Sequence, residues 1–350
     1  MQKNIDLSEV KLYTARLILR PHVISDLYDF YDYAKEPGVG ELAGWKHHTN
    51  TSETKRVIDM FNSSKRVLAI ALRESNKVIG SISLDRDYYE LEGYEDLIGS
   101  SMGFIIGKKY WNQGYMSEAL REMMRYVFLN LELDYIATAR YEDNDRTKKI
   151  FDKLGFKFIK NFTRDTSFRR NIPCLLYTAK RSDYVKTVER IKLYGPDLLD
   201  SNLWIYRGAP IPKNYYVGVV DIIIKNTKYN KYLVTRRSKT KDKHPGKLET
   251  TGGVIGYGES EEHAAYREVA EETGIKNISL SFLYKTTIGN FVYYEYFAKT
   301  SCELDSIVLQ AGETEGYAWF DLEDYLNIWK TDLVAERPKI RLARALEGLK

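Results

Sequence analysis

The sequence predicts a chain of α/β plus α+β class that folds as two domains, the first of them built on a mixed sheet with flanking helices. Three observations predict this. The 350 residues exceed what one hydrophobic core usually organises. Patterns typical of helices and strands alternate in both halves. Between the halves, a charged stretch of weak periodicity contains Gly195-Pro196. We therefore expect domains over residues 1–182 and 201–350, joined by a linker over 183–200.

The composition is typical of a globular protein, since 43% of the residues are hydrophobic. A net charge of +4, with basic and acidic residues interspersed, favours no nucleic-acid partner. The chain has no run of about 20 apolar residues, and its first residues lack an apolar core, so we expect a cytoplasmic protein without a membrane partner. Cys174 and Cys302 are far apart, which argues against a disulfide framework and a zinc site. The oligomeric state stays open.

The first half begins with a strand and a helix. Alternating apolar residues predict the strand, and Ser25 opens an amphipathic stretch. A hairpin then turns at Ser75-Asn76. Further along, Asn144 is placed to cap a helix and Gly155 to end it. The predicted strands are 12–20, 67–73, 78–85, 100–106, 135–141, 156–160 and 175–180, and the predicted helices are 25–35, 52–63, 115–130 and 144–154.

The second half has fewer predicted elements. Residues 216–225 and 231–235 are typical of paired strands, and 260–273 of a helix. A second hairpin, 278–287 with 291–299, turns at Gly289-Asn290. The two halves share no repeat period, so the sequence does not indicate a duplicated domain.

The predicted helix 260–273 carries a spaced set of acids. Glu268, Glu271 and Glu272 lie at i, i+3 and i+4, which places their carboxylates on one helical face. Like charges at this spacing repel each other, so a positive group is expected beside them. Clustered carboxylate oxygens suit Mg²⁺ or Mn²⁺, which can bridge the phosphates of a substrate. A solvated acidic helix face is the alternative interpretation.

The residues around this helix form a longer motif. Gly253 is followed by Glu259, Arg267-Glu268, Val269, Glu271-Glu272, Gly274 and Ile275. This stretch resembles the signature of the Nudix hydrolases, and the likeness covers about residues 201–350. Nine specified positions would coincide by chance on the order of once in 10⁷ chains of this length.

The resemblance implies an α/β/α sandwich for the second half. It also implies hydrolysis of a nucleoside diphosphate linked to another moiety, with Mg²⁺ or Mn²⁺ as the cofactor. It assigns metal binding to Glu268, Glu271 and Glu272, with the carbonyl of Gly252 as a further ligand. Arg267 would orient Glu259.

The base that activates water in such enzymes comes from the signature or from a later loop. Within the signature, Glu268 and Glu271 are the candidates. In the later loop, Glu313 and Glu315 are the candidates, although both could equally be exposed loop carboxylates.

Cations before the motif are candidates for binding the diphosphate of the substrate. Arg236, Arg237 and Lys247 lie at a strand end and in the following loop. A solubilising loop explains them equally well. The same segment, LVTRRS followed by Gly246, is similar to a motif of the coenzyme A diphosphatases, but departs from it at Thr250-Thr251. Hydrolysis of coenzyme A is therefore an alternative function.

In the first half, GFIIGKKYWNQGYMSEAL sets a strand, a short loop and a helix in sequence. Backbone N–H groups of Asn112, Gln113, Gly114 and Tyr115 would point from the helix N-terminus toward an anion. With Asn144, Thr147 and Leu154-Gly155-Phe156, this order is similar to the GNAT acetyltransferases, especially those that modify protein N-terminal amines. The likeness covers about residues 12–181.

The GNAT resemblance implies acetyl-CoA as a cofactor and an amine, such as a protein N-terminus, as the acceptor. Asn144 would hydrogen-bond near the acyl-CoA arm, and Thr147 stands where a serine is usual. Met116 replaces a small residue and would narrow the approach to the pyrophosphate. Tyr177 and Glu118 are candidate proton carriers, and each is also explained as a structural residue.

Three functional hypotheses follow. The first is a bifunctional enzyme that transfers acetyl groups and hydrolyses a diphosphate. The second is a Nudix hydrolase whose GNAT half only binds acyl-CoA or a partner. The third is a protein in which both halves are scaffolds without activity.

Overall fold

The computed structural model describes residues 3–86, 89, 91–241, 244–329 and 331. The chain forms two compact units, which divide between Thr187 and Val188. No helix among the described residues is long and apolar enough to span a membrane.

The first unit is built on an eight-stranded sheet in the order β1-β2-β3-β4-β5-β6-β8-β7. β5 and β6 are parallel, and the other neighbours are antiparallel. The strands are β1 Leu12–Tyr13, β2 Leu17–Pro21, β3 Val67–Leu72, β4 Val78–Arg86, β5 Gly99–Ile106, β6 Tyr135–Tyr141, β7 Lys157–Arg164 and β8 Ile172–Lys180. The helices are α1 Leu27–Ala34, α2 Thr51–Ser64, α3 Tyr115–Arg125, α4 Asp145–Leu154 and α5 Arg181–Tyr184.

The predicted strand 12–20 is two strands. A turn interrupts it, because the N–H of Thr14 donates to the carbonyl of Leu17 at 3.0 Å while the Thr14 hydroxyl accepts from the Leu17 N–H at 2.9 Å. The hairpin turn is confirmed at Asn76, whose φ is +57°. The long predicted helix 115–130 is confirmed as α3 extended by a five-residue π-helical turn, Tyr126–Asn130.

The core of the first unit lies on both faces of the sheet. One face packs against α3 and α4 through a large cluster that includes Ile79, Met123 and Phe151. The opposite face packs against α1 and α2, with Phe30 and Ile58 fully buried. Helices cover both faces of the sheet, and strand side chains alternate between the two faces. The strands therefore carry apolar residues on both faces.

The described part of the second unit contains a nine-stranded sheet and two helices. β11 is the central strand, and it pairs with β9, β12, β14 and, in parallel, β16. The strands are β9 Arg190–Tyr194, β10 Asp200–Tyr206, β11 Tyr216–Asn226, β12 Lys231–Arg237, β13 Leu248–Glu249, β14 Thr251–Val254, β15 Ser279–Ile288, β16 Phe291–Thr300 and β17 Thr314–Phe320, and the helices are α6 Glu261–Thr273 and α7 Leu322–Ile328.

Part of the expected linker 183–200 is folded into the second sheet. Ile191 and Leu193 of β9 are buried with Val217 of β11. A short apolar alternation of this kind is too weak a signal in the sequence, and pairing with both β10 and β11 makes it a strand. The domain boundaries at 182 and 201 stay a prediction. The mixed fold with two α/β units is confirmed.

Candidate active sites

A cavity of about 400 Å³ opens between the two central strands of the first unit. β5 and β6 pair only over residues 99–101 and 135–137. Beyond that pairing, residues 102–106 and 138–141 line the cavity. Backbone groups that a continuous sheet would pair are thereby available to a ligand along both strands.

Helix α3 begins at one end of this cavity. Its N-cap residue, Gly114, has a φ of +81°, a left-handed conformation that favours glycine. No side chain caps the helix, and the N–H groups of its first turn have no partner within the helix. Glu118 makes the first helical hydrogen bond, to the carbonyl of Gly114 at 3.0 Å. An uncapped helix start facing a cavity is suited to binding an anion.

Five of the seven residues predicted to bind the cofactor line the cavity, namely Asn112, Gly114, Met116, Asn144 and Thr147. The other two, Gln113 and Tyr115, contact Arg16 instead. The carbonyl of Gln113 accepts a hydrogen bond from Arg16 Nη1 at 3.1 Å, and the Arg16 guanidinium lies 4.3 Å from the centre of the Tyr115 ring.

Met116 and Asn144 also have structural roles. The Met116 side chain is 6% exposed and belongs to the core cluster beneath α3, so it forms part of the cavity floor. The Asn144 Oδ1 accepts from the Thr147 N–H at 3.3 Å, and Gly155 ends the helix with a φ of +76°. The predicted cap and stop of α4 are confirmed.

The two candidate proton carriers of the first unit lie outside the cavity lining. The carboxylate of Glu118 pairs with Arg16 at 2.7 Å. The Tyr177 hydroxyl accepts from Arg140 Nε at 3.3 Å, and its ring is buried against Phe151.

The charge of the cavity lining was not predicted from the sequence. Five cations line it, and no Asp, Glu or His occurs among its described lining residues. Three of the cations, Arg146, Lys149 and Lys153, lie on α4 at i, i+3 and i+7. That spacing was a readable signal in the sequence, because it places the three side chains on one helical face. The other two are Arg140 and Arg164.

In the second unit, α6 carries the predicted acids. Ser260 caps the helix by accepting from the His263 N–H at 3.2 Å, and Gly274 ends it with a φ of +73°. Glu268 and Glu272 are buried, whereas the side chain of Glu271 is 46% exposed. The three acids share a side of the helix but differ in their exposure to solvent.

Arg267 ties the acids together. Its Nε and Nη2 donate to the two oxygens of Glu259 at 2.8 and 3.0 Å. Its Nη1 donates to Glu268 at 2.8 Å and to Glu271 at 3.1 Å. The planar guanidinium can bond several carboxylates at once, and it thereby fixes the orientation of three acids.

Two glycines of β14 let the sheet approach these acids closely. A Cβ on Gly253 would collide with the Glu268 carboxylate, and one on Gly252 would collide with the Val220 carbonyl. The N–H of Gly252 donates to Glu272 Oε2 at 3.3 Å. The glycines of the motif therefore bring backbone next to buried carboxylates.

Burial raises the pKa of Glu268 and, more strongly, that of Glu272. The nearby carboxylates of Glu249 and Glu268 raise the pKa of Glu272 further. This excess of negative charge in a partly buried site is the environment that a divalent cation would stabilise.

Within the described residues, no group of three or more His, Cys, Asp or Glu has an arrangement that could hold a metal ion. Arg267 occupies oxygens of Glu268 and Glu271, whereas Glu272 accepts from the N–H of Gly252. The carboxylate donors fit a hard cation by their chemistry, and Arg267 bonds two of them in this arrangement.

The predicted later acids differ in position. Glu313 forms an ion pair with Lys241, and its charge contributes to the raised pKa of Glu272. Glu315 is exposed and accepts from the N–H of Lys239 at 2.9 Å.

The predicted phosphate-binding cations are partly engaged by the protein. Arg237 Nη1 lies 3.1 Å from Glu249 Oε2, and Arg236 Nη1 donates to the carbonyl of Gly246 at 3.0 Å. The carbonyl of Lys247 accepts from the Arg237 N–H at 2.9 Å. Sequence reasoning missed Glu249, because a lone acid in a two-residue strand has no spacing to reveal it.

Family models match both units. The model of the acetyltransferase (GNAT) domain matches residues 16–157, and that of the NUDIX domain matches residues 216–341. The first unit is similar to an uncharacterized N-acetyltransferase of Bacillus licheniformis, with 26% identity over 42% of this chain and 82% of the relative. A GNAT acetyltransferase structure from Bacillus anthracis covers 49% of this chain and 99% of its own, with 18% identity and a TM-score of 0.43.

The second unit is similar to an uncharacterized Nudix hydrolase of Yersinia pestis, with 46% identity over 29% of this chain. The matched residues span 57% of that relative. Together, the two family matches identify the chain as a fusion of an N-terminal GNAT acetyltransferase domain with a C-terminal Nudix domain.

Proposed function

We propose that the C-terminal domain hydrolyses a nucleoside diphosphate linked to another moiety, using Mg²⁺ or Mn²⁺. The N-terminal domain, in the same proposal, transfers the acetyl group of acetyl-CoA to an amine such as a protein N-terminus.

The buried pair Glu268 and Glu272 against Gly252-Gly253 is the observation that carries the hydrolase proposal. Arg267 carries one positive charge against the carboxylates of Glu259, Glu268 and Glu271. The charge of Glu272 beside Glu268 is therefore in excess, and it is costly to bury unless a further positive ion joins the pair. Glu268, Glu271, Glu272 and the Gly252 carbonyl would hold that ion. The ion would neutralise the charge of the phosphates when bound.

The remaining residues of the second site orient groups or move protons. Arg267 holds Glu259 and Glu268 in fixed orientations. Glu268 and Glu271 are the proposed catalytic acids of the signature. Glu313, on the loop before β17, is a further proposed base, since its charge acts on Glu272.

Glu315 is a weaker base in this proposal because it is bonded to the backbone of the neighbouring loop. Arg236, Arg237 and Lys247 would meet the phosphates of the substrate. Arg237 would have to exchange its contact with Glu249 for a phosphate oxygen.

The gap between β5 and β6 carries the acetyltransferase proposal. In that reaction the amine nitrogen bonds to the thioester carbonyl carbon, the C–S bond breaks, and the amine proton ends on the sulfur of coenzyme A. The protein would contribute mainly by holding the two reactants in line. Asn112, Gly114 and Met116 would lie against the cofactor at the start of α3, with Asn144 and Thr147 at the start of α4.

A screen of the intact protein against nucleoside diphosphate derivatives and coenzyme A tests the hydrolase proposal. With Mg²⁺ present, we expect one class of substrate to yield two phosphorylated products. A chelator should abolish that yield and added Mn²⁺ should restore it. Hydrolysis that persists in the chelator would contradict the proposed role of the metal.

One observation favours a second function for the first unit. Because no Asp, Glu or His lies in the described lining of the cavity, the domain would bind acetyl-CoA without transferring the acetyl group. Calorimetry with acetyl-CoA, followed by turnover on a broad panel of amines, separates the two functions. Binding without turnover would support the second function, and binding with turnover the first.

A further inference from the structure

The cations on α4 form a continuous row along the rim of the cavity in the first unit. Arg146, Lys149 and Lys153 all line the cavity and are all exposed. The row spans seven residues, which is about 10 Å along a helix. Its first member lies two residues after Asn144, so the row extends away from the helix start.

The opposite side of the same helix is built differently. Lys148 pairs with Asp152 at 3.0 Å, in the i, i+4 geometry. Asp152 is therefore engaged by Lys148. The other acid of α4, Asp145, lies four residues before Lys149. Among the described residues, neither Lys149 nor Lys153 forms an ion pair.

The three cations of the row lie one turn apart and repel each other, and no acid occurs with them in the described cavity lining. One of them is already positioned, because the Arg146 guanidinium lies 3.9 Å from the centre of the Trp111 ring. Such a contact fixes the guanidinium plane while leaving its edge N–H groups free to donate. Lys149 and Lys153 follow Arg146 by one and two helical turns.

The uncapped start of α3 accounts for one anionic group of a bound ligand. The α4 row begins near that position, where Arg146 contacts Trp111, but it lies on another helix and continues along α4. No acid in the described cavity lining neutralises the positive charge of the row.

Resting on the proposed use of acetyl-CoA, we propose that Arg146, Lys149 and Lys153 bind a second anionic group of the donor, its ribose phosphate monoester. The domain would then select coenzyme A over dephospho-coenzyme A. A phosphate monoester suits the row because it is doubly charged and offers several acceptor oxygens to charged donors.

Calorimetry on the full chain with coenzyme A and dephospho-coenzyme A tests this proposal, since the two ligands differ only in that phosphate. We expect the wild type to bind coenzyme A about tenfold more tightly, as charge-assisted contacts at an exposed site allow. The double variant Lys149→Gln, Lys153→Gln should bind both ligands with the lower affinity. Lys148→Gln, on the opposite side of the helix, should retain the preference.

The preference should also shrink as the salt concentration rises, because exposed charges are screened. Equal wild-type affinity for the two ligands would overturn the inference while leaving acetyl-CoA binding intact. The inference would also be overturned if the double variant lowered the affinity for both ligands by the same factor. It would be overturned as well if the double variant raised only the KM for an acidic acceptor. Failure of both ligands to bind would instead refute the proposed use of acetyl-CoA, and this inference with it.

Discussion

The two units present opposite charges at their candidate sites. The cavity of the first unit is lined by five cations and, in its described lining, by no acid. The site of the second unit gathers Glu259, Glu268 and Glu271 around one arginine, and Glu272 beside them accepts from the N–H of Gly252. Both sites are proposed to receive phosphates. The difference shows two solutions to one problem, because cations can bind phosphate directly, whereas carboxylates can do so only through a metal ion.

The largest expected effect is that of the substitution Glu268→Gln at the second site, where the comparison assumes that carboxylates hold a metal ion. Glu268→Gln keeps the size of the side chain but removes a charge that the proposed metal requires. We expect hydrolysis to fall on the order of 10²–10⁴-fold, as for loss of an acid or base in catalysis. Acetyl-CoA affinity, measured by calorimetry on the same variant, should not change.

Glu262→Gln is the matched control for that substitution, since Glu262 is an exposed acid on the first turn of α6. Its hydrolysis rate should equal that of the wild type. A Glu268→Gln protein with normal hydrolysis would contradict the proposed carboxylate site of the second unit.

A second prediction sharpens the contrast inside the first unit, where cations line the cavity but a buried base is kept neutral. Burial lowers the pKa of His22 from 6.5 to about 4, an effect that the charge of Asp26 opposes. The folded unit therefore binds fewer protons than the unfolded chain between those values. The free energy of unfolding should fall by about 1.4 kcal/mol per pH unit as the pH drops below 6.5. The total loss should be about 3 kcal/mol near pH 4.

Thermal unfolding of the full chain between pH 7 and pH 4.5 checks this. His22→Gln should flatten the dependence of the first unit, and His263→Gln, at an exposed position of the second unit, should not. A wild-type transition of the first unit that is independent of pH would contradict a neutral His22.

A third prediction concerns the close approach at the second site. Gly253→Ala would place a methyl group against the Glu268 carboxylate. We expect this overpacking to lower the free energy of unfolding by about 1–3 kcal/mol and to displace Glu268. Chemical denaturation of the second unit measures the loss, and the rate of hydrolysis should fall with it.

Gly316→Ala is the control, because the nearest atom to its added Cβ, on Arg236, lies at 3.7 Å. It should cost far less stability. Equal losses in the two variants would mean that the effect of Gly253→Ala does not come from its contact with Glu268.

The smallest expected effect is that of Arg267→Lys, which keeps the charge. A lysine cannot bond Glu259, Glu268 and Glu271 together as the planar guanidinium does. We expect hydrolysis to fall about tenfold through lost orientation, with the unfolding transition of the second unit nearly unchanged. Steady-state kinetics measures the change, and a wild-type rate would show that Arg267 does not orient the site.

Much of the local structure was predictable because its causes are local. The caps Asn144 and Ser260 and the stops Gly155 and Gly274 are set by hydrogen bonds within a few residues. The two α/β units follow from the length and the alternation of patterns. The split of the predicted strand 12–20 was missed, since a single threonine side chain makes the turn.

The missed strands share a different cause. β9, β10, β13, β14 and β17 are short or half exposed, and β9, β14 and β17 pair with strands far away in the chain. Pairings over such distances leave little trace in a local pattern. The expected linker therefore contains β9.

By itself, the sequence determined the acidic motif of the second site and the loop-to-helix motif of the first. The i, i+3, i+4 spacing of the acids and the paired glycines are readable without a fold, because helix geometry and glycine conformation are local properties. Only the tertiary structure decided which groups are buried, that Glu249 joins the acids, and that β5 and β6 part to form a cavity. Those outcomes depend on contacts between distant segments, and such contacts fix burial and therefore the strength of every charge in the two sites.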